Sequence, residues 1–316
     1  MSEEKGLLQT GRSVVQRNLR YVIWFWLLNL ALAWFGTLSY RGQIAPILEN
    51  SLHADQFVHS FNPTAYVELL AMPQSGSMAA WTTPSYFLAG LFAMVTLLLM
   101  PGVFRQYTSE YRVSRDEFFR TCGRNLWRYV RLVLLYGLSA LPLTGILFGI
   151  RNALQDAAEK KALNEVLPFW VGTAMLALIF IVVTTLRIWF DLAEVDVVVR
   201  DQNAVRKSVG AGFRYMRRHW GRLIGAYAGI SILALIVLIG GVWLWHILVP
   251  PSSVLGAFLI SQVMMLLWLG ARFWQRAVAS VFYMREMLVV PSYAGFRTPE
   301  TGPASVPATT PLPSPG

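Results

Sequence analysis

In the stretch RRHWGRLIGAYAGISILALIVLIGGVWLW (Arg217–Trp245), basic and aromatic residues lead directly into a long apolar run. The run itself, Leu223–Trp245, contains no Asp, Glu, Lys or Arg. A helix of roughly 20 apolar residues is long enough to cross the hydrocarbon core of a bilayer. Because a helix also pairs its backbone groups within its own segment, the sequence predicts a membrane-spanning helix here.

The chain carries further segments with the same length and the same freedom from charge. Its composition agrees with a membrane class, since 55% of the residues are hydrophobic and 14% are charged, against about 25% charged in soluble domains. We therefore predict an all-α fold: a polytopic helical bundle with six transmembrane helices arranged as three hairpins. The other predicted spans are Tyr21–Tyr40, Pro84–Phe104, Leu132–Ile150, Leu167–Leu186 and Leu255–Ala271.

The basic residues predict how these spans are oriented. With the N-terminus in the cytoplasm, 23 of the 27 Lys and Arg residues fall in cytoplasmic segments, as the positive-inside rule requires. Both termini are then cytoplasmic. The alternative is a signal peptide cleaved near Ala31–Ala33, which would leave one span fewer. The apolar run continues beyond Ala33, which favours a retained helix.

The chain divides into three predicted regions. Residues 1–20 form a cytoplasmic amphipathic segment, and residues 21–290 form the membrane domain. Residues 291–316 contain seven prolines and too few apolar residues to fold, which predicts a disordered tail available to a protein partner.

Arg/aromatic segments precede the first, third and fifth spans: RNLRYV (Arg17–Val22), RNLWRYV (Arg124–Val130) and the opening stretch. We expect short amphipathic helices on the cytoplasmic face, best developed over Asp116–Arg131 and Ala204–Arg222. A threefold internal repeat, or a general preference for Arg and aromatics at membrane entrances, explains the similarity. Anionic phospholipid is the expected partner, and nucleic acid is not, because the charges are spread beside membrane spans. The arginines expected to face lipid are Arg17, Arg20, Arg124, Arg128, Arg131, Arg217, Arg218 and Arg222.

The most specific polar cluster is predicted where the fourth and sixth spans end. Helical spacing places Arg187, Asp191 and Glu194 on one face, and Arg272 and Arg276 on another. One interpretation is an ion network that joins the two helix ends. The other is a binding site for a lipid headgroup or a partner at the cytoplasmic boundary.

Glycines at four-residue spacing predict close helix packing. We expect packing within the chain, with a homodimer contact as the alternative. The residues concerned are Gly145, Gly149, Gly221, Gly225 and Gly229.

Polar residues inside the spans are few: Asn29, Thr96, Ser261 and Gln262. Interhelical hydrogen bonds are their expected role, and a polar transport path is the alternative. The spans contain no carboxylate, which disfavours an ion-coupled transporter.

Catalytic signatures are not found in the sequence. It contains no phosphate-binding Gly-rich loop, no G-x-S-x-G and no H-E-x-x-H. The spacing of His53, Asp55 and His59 matches no zinc motif, and the single thiol, Cys122, has no matched base. We therefore expect no metal, no cofactor and no enzymatic activity.

The stretch FDLAEVDVVVRDQNAVRKSVGAGFRYMRRHWGRLIGAY (Phe190–Tyr227) resembles a family of bacterial six-helix integral membrane proteins to which no activity is assigned. SLHADQFVHSFNPTAYVELLA (Ser51–Ala71) and the segment from PGVFRQY to NLWRYVRL (Pro101–Leu132) are similar to the same family. A more distant resemblance is to the membrane region found with some glycerophosphodiester phosphodiesterases. The resemblance implies a multi-pass protein of the bacterial inner membrane.

The functional prediction that fits these features is a non-enzymatic interaction or envelope-assembly component that binds anionic lipid. A transporter or channel component is the first alternative, and it requires a hydrated path near Asn29, Thr96 and Gln262. A membrane-embedded lipid enzyme is the second alternative, and it requires titratable groups clustered around one cavity at the level of the headgroups.

Overall fold

The computed structural model describes residues 6–48, 78–109, 111–161, 166–250 and 253–286, and every regular element in these ranges is a helix. Six of the eight helices there are long and apolar enough to cross a membrane. Each contains one of the predicted spans, so the all-α helical bundle is confirmed. The helices are α1 (Leu7–Arg17), α2 (Leu19–Leu48), α3 (Met78–Thr108), α4 (Arg115–Lys161), α5 (Val166–Arg200), α6 (Val205–Arg218), α7 (Trp220–Leu248) and α8 (Val254–Glu286).

The long helices pack as sequence neighbours. Helix α2 contacts α3, α4 contacts α5, and α7 contacts α8, as the three-hairpin arrangement requires. Helix α8 also contacts α2, α3 and α5, so it joins the hairpins together. At one end of the bundle α2, α4 and α7 begin while α3, α5 and α8 finish. We call this the basic end, because the Arg-rich segments lie there.

Away from the basic end the helices expose apolar side chains on all sides. In α7 the five consecutive residues Leu235–Ile239 are each between 36% and 60% exposed. A soluble protein rarely exposes a contiguous apolar surface of this kind. Hydrocarbon is the solvent in which such a surface is stable, which is the physical reason to place these helices in a membrane.

The well-packed core lies toward the basic end. It contains the end of α5 from Ile188 to Val198, and Phe273–Tyr283 of α8. The buried aromatic side chains of Phe104, Tyr129 and Tyr227 complete the contact with α3, α4 and α7. Polar groups can be held in fixed positions there, because their surroundings are closely packed.

Short separate helices precede the first and fifth spans, as predicted, but the Arg/aromatic strings Arg17–Val22 and Arg217–Tyr227 cross the breaks after these helices and lie mostly in the spanning helices. Helix α1 ends at Arg17 with Asn18 as its C-cap, and α6 ends at Arg218 with His219 as its C-cap. The expectation of a third short helix over Asp116–Arg131 is wrong, because this segment is the first part of the continuous 47-residue helix α4. Both asparagines donate from Nδ2 to the backbone O four residues earlier, Asn18 to Val14 and Asn125 to Thr121. They differ in that Asn125 is fully buried and its Oδ1 accepts from Arg128, whereas Asn18 is the C-cap at the break after α1.

The expected glycine packing within the chain is also wrong. A Cβ atom built at Gly221, Gly225 or Gly229 would meet no described atom within 4 Å, and the same holds for Gly145 and Gly149. The reason for α7 is that its buried face is formed by other residues, including Leu223, Ala226, Tyr227 and Ile230, and the glycines lie on the exposed side.

Close helix approaches occur instead at glycines on the two short helices. A Cβ at Gly11 of α1 would lie 3.3 Å from the backbone N of Val278. A Cβ at Gly212 of α6 would lie 2.9 Å from the backbone O of Trp189. The short helices are therefore docked on α8 and α5, respectively.

Several predictions fall partly or wholly outside the described residues. Among them are the disordered tail 291–316 and the histidine pair His53 and His59. Helix α2 runs through Ala31–Ala33 without a break.

Candidate functional site

Asp191 is a buried acid near the end of α5 that has partners on two helices. It lies 3.9 Å from Arg187 Nε, one turn earlier on the same helix. Its Oδ2 atom accepts a hydrogen bond of 2.7 Å from the Tyr227 hydroxyl of α7. In turn, Gln275 Nε2 of α8 donates to Tyr227 O at 3.1 Å. Asp191 therefore joins α5 to α7, and Gln275 extends the connection to α8.

Asp196 forms a second connection one and a half turns later. The Tyr283 hydroxyl of α8 donates to Asp196 Oδ1 at 2.7 Å. Arg200 Nε lies 3.3 Å from the same oxygen and donates to the Tyr283 hydroxyl at 2.9 Å. The Oδ1 atom is thus compensated by a hydroxyl donor and a guanidinium, while Oδ2 is buried without a partner among the described residues. Through Oδ1, Asp196 holds α5 against α8.

Glu194 differs from the two aspartates beside it because no described residue donates to either of its carboxylate oxygens. Its Oε2 atom is buried and has no hydrogen-bond partner, and within the described residues it forms no ion pair closer than 4.0 Å. The Tyr129 hydroxyl donates at 3.0 Å to the backbone O of Glu194, which fixes the main chain there and leaves the carboxylate without a donor. The main chain at Glu194 is thus fixed, while its carboxylate is available to accept a hydrogen bond.

Glu194 lines a cavity of about 670 Å³ together with Arg272 and Arg276. The cavity lies between α2, α3, α4, α5 and α8. Arg276 Nε is buried without a hydrogen-bond partner among the described residues. Arg272 has no ion pair or side-chain hydrogen bond with any described residue. The charged groups at this cavity therefore do not satisfy one another.

The remaining cavity wall is mostly apolar, with a few polar groups. Asn29 of α2 and Thr96 of α3 contribute to it, and Thr96 Oγ1 is buried without a partner. Apolar and sulfur-bearing side chains supply most of the rest, among them Phe25, Phe92, Leu97, Met265, Trp268 and Leu269. An apolar cavity with a small number of convergent polar groups is typical of a ligand site.

These findings correct the predicted ion network. Asp191 pairs with Arg187 on its own helix, and among the described residues no acid of α5 lies within 4.0 Å of Arg272 or Arg276. The helix ends are joined by tyrosine hydroxyls instead. Only Glu194, Arg272 and Arg276 of the five predicted residues share the cavity. The alternative interpretation of the cluster, a headgroup or partner site, stays a prediction.

The interhelical hydrogen bonds expected of the polar span residues are not formed where the structure describes them. Ser261 Oγ donates to Phe258 O within its own helix. Gln262 Oε1 is buried and has no partner, and Gln262 does not line the cavity. Of the residues predicted for a transport path, only Asn29 and Thr96 therefore line the same cavity.

Arg128 is not free to face lipid, contrary to expectation. Its side chain is only 14% exposed and donates to Asn125, Asp201 and Asn203. Asp201 ends α5 with a φ of 51°, a left-handed conformation that Asp tolerates better than most residues. The hydrogen bond from Arg128 holds the pKa of the Asp201 carboxyl below its usual value. Arg128 thus fixes the turn between α5 and α6.

The other basic residues at this end fall into two groups. Some have protein partners: Arg20 donates to Gln106 Oε1 at 3.2 Å, Arg124 lies 3.4 Å from Asp201, and Arg222 lies 3.1 Å from Glu286. Arg131 lies over the ring of Trp127. Arg17, Arg217 and Arg218 are exposed, and their guanidinium groups form no ion pair with a described residue. These three keep the predicted lipid-facing role as a prediction.

Sequence reasoning missed the three tyrosines that organise the site: Tyr129, Tyr227 and Tyr283. Each lies at the basic end of a long helix and is almost completely buried. A buried tyrosine hydroxyl needs a hydrogen-bond partner, so a tyrosine near charged helix ends was the available signal. Without the fold, nothing in the sequence indicated which acid each one contacts.

Comparison with protein-family models, with curated proteins and with solved structures yields no match. The relation to bacterial six-helix membrane proteins therefore stays a prediction.

Proposed function

We propose that this chain is an integral membrane protein that binds phospholipid, with the headgroup phosphate held by Arg272 and Arg276 in the cavity beside Glu194. In this proposal binding serves a non-enzymatic interaction or envelope-assembly role. The observation that carries it is the pair of arginines, one turn apart on α8, that line a mostly apolar cavity and have no acid within 4.0 Å among the described residues.

The chemistry of arginine supports a phosphate ligand. The planar guanidinium presents several N–H donors in a fixed geometry that suits phosphate oxygens. Leaving Arg276 Nε buried without an acceptor is unfavourable, and a phosphate oxygen would supply the acceptor. Arg272 directly follows the apolar run Leu255–Ala271, which places it at the depth where phospholipid phosphates lie.

The apolar wall supports a lipid rather than a free phosphate. Phe92, Met265 and Leu269 line the same cavity as the arginines, and they offer surface on which an acyl chain can be buried. The exposed arginines of α1 and α6 would add weaker, less specific attraction to anionic headgroups. Within this proposal the basic end faces the cytoplasm of a bacterium.

The experiment is native mass spectrometry of the purified protein in detergent with an equimolar mixture of phosphatidylglycerol and phosphatidylethanolamine. Replacing both cavity arginines, Arg272→Gln with Arg276→Gln, is expected to lower total phospholipid retention at least about tenfold, because charge-assisted hydrogen bonds are lost. The matched control, Arg217→Gln with Arg218→Gln, removes the same charge from the exposed side of α6 and should change retention less than about twofold.

Retention by the double cavity variant within about twofold of wild type would overturn the proposal. Arg272→Gln alone guards against a folding defect, because Arg272 has no described partner to lose. A thermal denaturation curve like that of wild type, together with reduced retention, is the expected result for this variant.

A transporter component is the second candidate function, favoured by one observation: Asn29 and Thr96 line the same cavity as the charged groups. This candidate predicts lipid or solute movement across proteoliposomes, and movement that is abolished by Asn29→Leu would favour it over simple binding.

A further inference from the structure

We propose that the bound headgroup carries an ammonium group, which the Glu194 carboxylate receives while the arginines hold the phosphate. The inference rests on the proposed function and deepens it, since it names the lipid class: an aminophospholipid of the phosphatidylethanolamine type.

Glu194 is the group that a purely anionic ligand does not explain. Its neighbours Asp191 and Asp196 each accept a 2.7 Å hydrogen bond from a tyrosine. Neither carboxylate oxygen of Glu194 accepts a hydrogen bond from a described residue, and its Oε2 atom, like Asp196 Oδ2, is screened from solvent. A carboxylate oxygen that is screened from solvent and has no partner is costly, so the position of Glu194 Oε2 beside a cavity points to a donor supplied by a ligand.

The charge of the cavity indicates what that ligand contains. Two guanidinium groups and one carboxylate line the same space, and the carboxylate would repel the phosphate of a headgroup that offered it nothing in return. A headgroup with a phosphate and an ammonium a few ångströms apart satisfies both kinds of charge. The structure therefore favours a zwitterionic headgroup at this position.

The lack of a hydrogen-bond donor to Glu194 Oε2 further restricts which headgroup fits the cavity. A primary ammonium has three N–H donors and can bond to Glu194 Oε2. A quaternary ammonium, as in phosphatidylcholine, has the charge but no N–H. A glycerol headgroup, as in phosphatidylglycerol, has hydroxyl donors but no positive charge. Of these three headgroups, only ethanolamine provides both a positive charge and N–H donors. We therefore expect phosphatidylethanolamine to bind most tightly.

The test uses the full-length protein and native mass spectrometry with equimolar phosphatidylethanolamine, phosphatidylcholine and phosphatidylglycerol of identical acyl chains. Wild-type protein is expected to retain phosphatidylethanolamine at least about tenfold over each of the others, as expected for a hydrogen bond to a charged group. Glu194→Gln, which keeps the size of the side chain, should reduce this preference to about threefold or less. The control Glu286→Gln, at the same end of α8 but outside the cavity lining, should keep the preference.

The outcomes separate this inference from the proposed function. Retention that depends on Arg272 and Arg276 but does not favour phosphatidylethanolamine overturns the inference and leaves the proposed function standing. Retention that is independent of the arginines overturns both. The wild-type comparison needs no substitution, so the inference stays testable even if Glu194→Gln fails to fold.

Discussion

At the residue scale, the main finding is how the three acids near the end of α5 divide their roles. Asp191 and Asp196 accept hydrogen bonds from Tyr227 and Tyr283, whereas Glu194 remains without a donor beside the cavity. Sequence spacing predicted ion pairs between α5 and α8 that are not formed among the described residues, although Glu194, Arg272 and Arg276 do line one cavity. It could not identify the partners of the two aspartates, because a tyrosine hydroxyl reaches its acid through the packing of different helices.

Tyr227→Phe tests the structural role of Asp191. Removing the hydroxyl leaves a buried carboxylate whose remaining described partner, Arg187, is 3.9 Å away, so we expect the free energy of unfolding to fall by about 1–3 kcal/mol. Unfolding by SDS titration in detergent measures the change. Tyr136→Phe is the control, since the half-buried Tyr136 hydroxyl makes no hydrogen bond to a described residue. Equal stability of the two variants would contradict the assignment.

At the element scale, the short helices α1 and α6 are docked through glycine. Gly212 allows α6 to approach the backbone of α5, because a side chain there would meet Trp189 O at 2.9 Å. This is an approach to main-chain atoms, which cannot move as a flexible side chain can.

Gly212→Ala is therefore expected to destabilise the protein by about 1–3 kcal/mol, as overpacking does in closely packed sites. Gly210→Ala on the same helix meets only Arg214 Nη1 at 3.8 Å, and it should be neutral or stabilising by up to about 1 kcal/mol through helix propensity. Thermal denaturation in detergent compares the two. If Gly212→Ala is as stable as Gly210→Ala, α6 is not docked on α5 in the way described.

The sequence predicts the long helices well, but it misleads about the segments that precede them. Apolar length and freedom from charge identified every long helix, because the hydrocarbon core imposes both. The similar strings RNLRYV and RNLWRYV gave an equal expectation for two structures that differ. Asn18 caps a helix break, while Asn125 is buried within α4, where its Oδ1 accepts from Arg128 at 3.0 Å. Tertiary contacts decide between the two outcomes, and the local sequence does not record them.

At the scale of the whole molecule, the bundle separates two environments. Around the middle of α7 the side chains are exposed and apolar, while the basic end is closely packed and holds the hydrogen-bonded acids and the cavity. The glycines at four-residue spacing predicted helix contacts on the wrong face of α7. The sequence alone does not distinguish a glycine on the exposed face of a helix from one that contacts another helix. The position of the cavity at the boundary of these environments is the basis for proposing a phospholipid ligand.

The central claim is that six apolar helices cross a membrane with their basic ends together on the cytoplasmic side. Fusion of two topology reporters, a phosphatase active only outside the cytoplasm and a green fluorescent protein that folds only inside, tests it most directly. Fusions after Gln43, Ala162 and Ser252 are predicted to show phosphatase activity without fluorescence, and fusions after Ser109 and Gln202 the reverse. Fluorescence from any of the first three fusions would contradict the arrangement and, with it, the placement of the headgroup site.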